Sequence, residues 1–325
     1  MDHLIQRLNN SRNVLVTTHV SPDGDAIGSL LAMNLALQGK HKLVTLYNES
    51  PIPAVYRFLP RVHSVIGKLN SAAPFDTAVV LDCGDLTRVG EAACIIDQIP
   101  EVINIDHHIT NTRFGTCQLI DVQACACTEI LYQLFERMCV PFTRELATCI
   151  YTGILTDTGS FRFSNTSRAT FQICENMVAC GVNPFQVAQH VYGTYSLGRI
   201  KLLNLALDSI EISENGKVSL MALTRAMLNE TGTQPEDTDG MINYARRIQD
   251  VKIAVLIQEQ MNGSGLCAAG QRRPYHVSLR SDGSVDVAAI AAIFGGGGHQ
   301  SAAGFSIEST LTEIKSQILQ MTEST

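Results

Sequence analysis

The stretch Asn13-Val14-Leu15-Val16-Thr17-Thr18-His19-Val20-Ser21-Pro22-Asp23-Gly24-Asp25-Ala26-Ile27-Gly28-Ser29 decides the fold. Residues 13–18 form a short apolar run with β-branched side chains and read as a buried strand. Residues 26–37 read as a helix, with Leu30, Leu31, Met33, Leu35 and Leu37 on and around its apolar face. Between strand and helix lie one imidazole, His19, and two carboxylates, Asp23 and Asp25. Pro22 and Gly24 permit the tight backbone path that would let these three side chains wrap a cation. The plainer reading of the same residues is a polar turn with Asp25 near a helix N-terminus.

Further strands are expected at 42–47, 77–81 and 101–105, each mostly apolar and separated from the next by helical sequence. That alternation indicates a parallel sheet covered by helices on both faces, an α/β fold. Helices are expected at 130–138, 144–155, 168–179 and 184–190. In 195–212, Ile200, Leu203, Leu207 and Ile210 recur at three- and four-residue spacing. Beyond the Asn215-Gly216 turn come strands at 217–223, 251–258 and 275–279, with helices at 241–248, 287–294 and 311–321. We therefore expect a first domain over 1–190, a helical connector over 191–213 and a smaller mixed α/β domain over 214–325.

With 325 residues, the chain is long enough for two cores. Its 45% hydrophobic and 17% charged residues exclude a disordered protein. No apolar run reaches the roughly 18 to 20 residues of a membrane span, and Met1-Asp2-His3-Leu4-Ile5 does not open a secretory signal. The ten cysteines are then expected to be reduced thiols in a cytoplasmic protein. Cys125-Ala-Cys127 is too tight for a Cys-x-x-Cys metal knuckle. A net charge of −7 argues against a protein that coats long nucleic acid. Carboxylates gathered at a metal site would account for part of it.

Three more clusters end apolar segments. Asp82 closes Val79-Val80-Leu81; at a buried strand end a carboxylate is costly unless paired or metal-bound. Asp106-His107-His108 closes Ile103-Asn104-Ile105, where an imidazole can ligate while a neighbouring carboxylate orients it. Asp157 stands in Leu155-Thr156-Asp157-Thr158-Gly159-Ser160-Phe161, at a predicted helix end. In an open parallel sheet, ligands bind beyond the carboxyl ends of the strands, and three of the four clusters fall at that edge. His19, Asp23, Asp25, Asp82, His107 and Asp157 together form a carboxylate–imidazole set that suits Mn²⁺ or a similar divalent metal. If one carboxylate bridges, six groups suffice for two ions, which can clamp a phosphoryl group.

These motifs, read in order, resemble the DHH phosphoesterase superfamily. Phe294-Gly295-Gly296-Gly297-Gly298-His299-Gln300-Ser301-Ala302-Ala303-Gly304-Phe305 resembles the glycine-rich motif of its associated C-terminal DHHA1 domain. The wording is most similar to the bifunctional oligoribonuclease and 3'-phosphoadenosine-5'-phosphate (pAp) phosphatase group. The resemblance implies two divalent metal ions, Mn²⁺ first among them. One ion would lie on His19, Asp23 and Asp82, and the other on Asp25, Asp82, His107 and Asp157. Asp106 would orient the site, and His108 would contact the scissile phosphate or protonate the leaving oxygen. Asn111 is a candidate substrate contact. In the second domain, Gly297 and Gly298 would let backbone approach a phosphate or ribose, with His299 and Arg280 as phosphate contacts. Arg246-Arg247 and Arg272-Arg273 read more simply as solvated basic pairs.

The expected substrates are short RNA oligonucleotides, cut to mononucleotides, and pAp, dephosphorylated to AMP. A phosphodiesterase for linear or cyclic dinucleotides on the same scaffold is the alternative. A related pyrophosphatase would carry a lysine- and arginine-rich clamp where the glycine-rich motif stands. A non-catalytic nucleotide sensor would lack a metal ligand, and none is missing. No membrane partner is expected, and a homodimer is left open.

Overall fold

The computed structural model describes residues 1–69, 75–193, 195–260 and 272–322. It divides into two compact units, Met1–Thr194 and Tyr195–Thr325. The first contains α1 (Asp2–Asn10), β1 (Asn13–Thr18), α2 (Gly24–Gln38), β2 (Leu43–Tyr47), β3 (Val65–Ile66), β4 (Thr77–Leu81) and α3 (Ala93–Ile96). It continues with β5 (Glu101–Asp106), β6 (Cys117–Ile120), α4 (Cys127–Arg137), α5 (Arg144–Asp157), α6 (Arg168–Ala179) and α7 (Pro184–Tyr192).

Its six strands are all parallel, in the order β3-β2-β1-β4-β5-β6. Strand side chains alternate between faces, and both faces here are dry. Val14, Val16, Val79, Leu81, Ile103 and Ile105 join the core under α2, α4 and α5. Leu15, Ala78, Val80 and Val102 join a smaller core on the opposite face with Val89 and Ile96. This is why the strands read as continuous apolar runs. The edge strands β3 and β6 were not expected; at two and four residues they are too short for an apolar pattern to mark them. Helix α2 does not have the single apolar face expected of it. Thirteen of its fifteen residues are buried, because α4 and α5 cover the side turned away from the sheet.

The second unit contains α8 (Leu197–Asp208), β7 (Glu211–Ile212), β8 (Val218–Leu223), α9 (Arg225–Thr231), α10 (Ile242–Arg246) and β9 (Ile253–Glu259). After these come β10 (Arg273–Ser281), α11 (Val287–Ile293), β11 (Gly297–His299), β12 (Ala302–Ser309) and α12 (Leu311–Thr322). Its sheet runs β11-β12-β10-β9-β8-β7, parallel only between β8 and β9. The segment expected as a connector is not separate from this unit. Leu202 and Ala206 of α8 share a core with Met221, Leu223 and Leu256. No helix among the described residues is long and apolar enough to cross a membrane. The nine described cysteines are free, and burial pushes the Cys125, Cys127 and Cys149 thiols up.

Candidate active site

Strands β1, β4 and β5 end side by side, and each delivers a polar residue to the same edge. His19 follows β1, Asp82 follows β4, and Asp106 ends β5 with His107 and His108 beyond it. Asp82 holds a left-handed backbone, φ 54°, while its amide still donates to the Ile105 carbonyl at 2.9 Å. Aspartate tolerates that region better than most residues, and the turn aims its carboxylate into the cluster. Asp23 and Asp25 come from the start of α2, and Asp157 from the last residue of α5.

These side chains converge. Ligating atoms of His19, Asp23 and Asp82 lie within 4.8 Å of one another, as do those of Asp25, His107 and Asp157, and those of Asp82, His107 and His108. Asp82 Oδ2 is 3.7 Å from His19 Nε2, and its Oδ1 is 3.5 Å from His107 Nε2. His107 Nε2 is also 3.7 Å from Asp157 Oδ2. Both histidines point their Nδ1 away from the carboxylates, toward the Val20 carbonyl at 2.9 Å and the Ala124 carbonyl at 3.3 Å. A proton held on Nδ1 leaves the Nε2 lone pair facing the carboxylates, the tautomer a metal ligand needs.

The charge balance of the cluster favours cations. Burial and the Asp82 charge push Asp25 up to about 7. Burial and the Asp25 charge push Asp157 well up, and burial with Asp82 raises Asp23. Burial works to lower His107, but the Asp82 carboxylate overrides it and raises the imidazole to about 10. For Asp82 itself, burial is outweighed by His107 and His19, which hold it far below the usual carboxylate range. Asp82 Oδ1 is buried and accepts no hydrogen bond, a costly state for a carboxylate oxygen. Four crowded carboxylates with an unsatisfied central oxygen fit divalent cations.

Two of the carboxylates are pinned by helix ends. Asp23 Oδ1 accepts from the Asp25 and Ala26 amides as the N-cap of α2. Asp25 stands in the first turn of the same helix, as the plainer reading has it. Its side chain also reaches the N-terminus of α4. Its oxygens accept from the Cys127 amide at 2.6 Å, the Thr128 amide at 3.0 Å and Thr128 Oγ1 at 2.7 Å. His108 Nδ1 lies 2.7 Å from Asp106 Oδ1, and Asp106 Oδ2 accepts from Asn111 Nδ2 at 2.6 Å. The same Asn111 amide reaches Asn104 Oδ1 and the Cys83 carbonyl, and Asn111 Oδ1 accepts from the Arg113 amide. Asn111 therefore turns its amide inward to brace Asp106.

In the second unit, β10 alternates cleanly. Tyr275, Val277 and Leu279 enter the core, leaving His276, Ser278 and Arg280 on the opposite face. Arg280 registers with Ala302, and Ala302 with His299, so Arg280 and His299 share that face with Gly304 and Gly297. Burial, then the Arg246 charge, lowers Arg280. The glycine run is not an open loop. Gly297 and Gly298 pair with Gly304 and Ala303, and a Cβ on Gly298 would stand 2.5 Å from the Ala302 carbonyl oxygen. Gly296 and Gly298 are thus required for packing whether or not they meet a ligand, whereas a Cβ on Gly297 would meet nothing within 4 Å. Arg273 pairs with buried Glu259 at 2.9 Å, whereas Arg272 is exposed and lies 3.6 Å from the exposed Glu313.

Residues 13–154 match the DHH family, N-terminal domain, and residues 216–324 match the DHHA1 domain. A bifunctional oligoribonuclease and PAP phosphatase NrnA of Thermus thermophilus is 31% identical over 91% of this chain and 84% of its own length. The chain belongs to the DHH family. A Bacillus subtilis protein of the same description is 23% identical, covering 94% of this DHH-family chain and 93% of its own length. Among solved structures, an exopolyphosphatase-related protein from Bacteroides fragilis aligns with a TM-score of 0.88 at 26% identity, over 98% of this chain and 95% of that one. The DHH domain's metal-type clusters thus sit in a family fold, and the family is one of phosphoesterases.

Sequence reading of the DHH site missed its supports: Asn104, Thr128 and Asn165. Asn104 is fully buried inside a strand, and a buried amide needs partners; that was the available signal. Thr128 and Asn165 carry no comparable mark.

Proposed function

We propose that the chain is a metal-dependent phosphoesterase that hydrolyses short oligoribonucleotides to mononucleotides and converts pAp to AMP and phosphate. Two of the three ligand groups share the buried Asp82 carboxylate, whose Oδ1 is unsatisfied, and the third joins them through His107; this convergence carries the reading. His19, Asp23 and Asp82 would hold one divalent cation, and Asp25, Asp82, His107 and Asp157 a second. Mn²⁺ suits this mixed oxygen and imidazole set. Such a pair supplies Lewis acidity toward phosphoryl oxygens and makes a nucleophile available near neutral pH.

The rest falls to the chain's own groups. Asp106 accepts from His108 Nδ1–H and fixes the ring; as an imidazolium, with a second proton on Nε2, His108 would give that proton to the departing ester oxygen and return to the neutral ring. Asn111 fixes Asp106 from behind, so the imidazole cannot swing. Arg280 and His299, on one face of the second sheet, would take up phosphate charge remote from the broken bond. The names of the NrnA relatives support the choice of oligoribonucleotides and pAp as substrates.

The test is Mn²⁺-dependent phosphate release from pAp and mononucleotide release from a labelled ribodinucleotide. Asp82→Ala and His107→Ala are expected to lose both activities. Undiminished release in both variants would remove the site from this position.

A further inference from the structure

Helix α5 ends in an unusual way directly beside the cluster. One left-handed residue is enough to finish a helix. Here Gly159, Ser160 and Phe161 all take that conformation, with φ of 56°, 62° and 63°. Left-handed backbone is unfavourable for serine and more so for phenylalanine. Such strain persists only where surrounding contacts impose it, and it gathers at functional sites. The contacts are present. Thr158 Oγ1 accepts from the Phe161 amide, and the Thr158 carbonyl accepts from the Arg162 and Phe163 amides. The Arg162 side chain donates to the Gly159 carbonyl. Asn165 ties the returning chain to the Asp157 carbonyl at 3.2 Å. Phe161 stacks on Phe171 with centroids 5.2 Å apart.

The outcome of this turn is the placement of Phe163. Its ring lies so close on Gly159 that a Cβ there would meet three ring carbons at 2.4 to 2.6 Å. Yet Phe163 remains 49% exposed. An aromatic ring is thus laid on the backbone two residues past the Asp157 carboxylate, held in place and half open to water. A large apolar ring held in water beside a site built for charge is not explained by folding of the domain.

We propose that Phe163 is a stacking platform for the nucleobase next to the scissile phosphate, and so a specificity-determining residue. This rests on the phosphoesterase reading and adds the feature of the substrate that the site recognises besides phosphate. Every base offers a π-face, so a single ring accepts any of the four without choosing among them. A ring already immobilised loses little freedom on stacking.

The experiment compares pAp with 1-deoxyribose 3,5-bisphosphate, the same diester-free skeleton without a base, in Mn²⁺-loaded protein. The ratio of kcat/KM for pAp over the abasic compound should fall about tenfold in Phe163→Ala, mainly through KM, and recover in Phe163→Tyr. An unchanged ratio, with both substrates losing equally, overturns the proposal. A second readout needs no turnover. The chain contains no tryptophan, so Phe163→Trp introduces a sole reporter. AMP should quench its fluorescence and 1-deoxyribose 5-phosphate should not. AMP that binds by calorimetry without quenching overturns stacking. Wild-type protein that turns over neither pAp nor a ribodinucleotide sinks the phosphoesterase reading itself, which is a different result.

Discussion

Gly153→Ala should damage stability and activity together, although alanine is the better helix former. Gly153 lies within α5, which packs against α2 and α4. A Cβ there would stand 2.5 Å from both Thr128 Oγ1 and Cγ2 and 2.6 Å from Asp25 Oδ1. Thr128 and Asp25 are buried, and they are joined by the 2.7 Å hydrogen bond from Thr128 Oγ1. Relief requires rotating Thr128, which breaks that bond, or pushing the Asp25 carboxylate aside. Overpacking costs about 1–3 kcal/mol, and a lost hydrogen bond to a charged group about 1.5–3 kcal/mol. The propensity gain from glycine to alanine returns only about 1 kcal/mol. The net loss is on the order of 2–4 kcal/mol, a fall in Tm of roughly 5–10 °C for a domain of this size. Displacing a ligand by a fraction of an ångström should also reduce turnover by about a hundredfold. Thermal denaturation of the first unit's transition, alongside pAp hydrolysis at saturating Mn²⁺, reads both effects. A variant with a raised Tm and full activity would refute the packing argument.

Other consequences are equally direct. Without metal, Asp25 takes up its proton at about 7 against an ordinary 3.8, so its burial subtracts stability as pH rises through that interval. His107, raised to about 10 from 6.5, contributes stability fully below 6.5 and loses it as pH climbs through 10. Metal-stripped protein should therefore melt lower at pH 8 than at pH 5, and Mn²⁺ should raise Tm more at pH 8; equal metal-induced shifts would contradict this. Asn111→Ala should lower kcat roughly 10- to 100-fold by freeing Asp106 and His108, with metal affinity by calorimetry nearly intact. Arg280→Ala should raise KM for pAp with little change in kcat, as expected for a contact remote from the broken bond; a kcat loss without a KM change would place Arg280 elsewhere.

Much of the candidate site was legible because of where it falls in the chain. Strands β1, β4 and β5 are apolar on both faces, so His19, Asp82 and Asp106 stand out as polar residues at their ends. The inward contacts of Asn111 were not legible, for the opposite reason. A polar residue three positions after His108 looks available for substrate, and only its contacts with Asp106, Asn104 and Cys83 show that it faces inward. The glycine-rich run was recognisable as a motif but not as a strand. Gly297, Gly298, Ala302, Ala303 and Gly304 carry almost no side chain, and hydrophobic periodicity cannot register a pairing made entirely by backbone. Helix α8 read as a connector because its repeating apolar residues do not say which core they join.

The sequence by itself determined the alternating architecture, the two-domain composition and the identity of the polar residues at the strand ends. Each of these is written in local order, as periodicity or as a change from apolar to ionisable. Only the tertiary structure decided that Asp25 caps a helix lying about a hundred residues later, that Asp82 is left with an unsatisfied oxygen, and that Phe163 is laid on Gly159. Those facts depend on distances between segments remote in sequence, and such distances are set by packing.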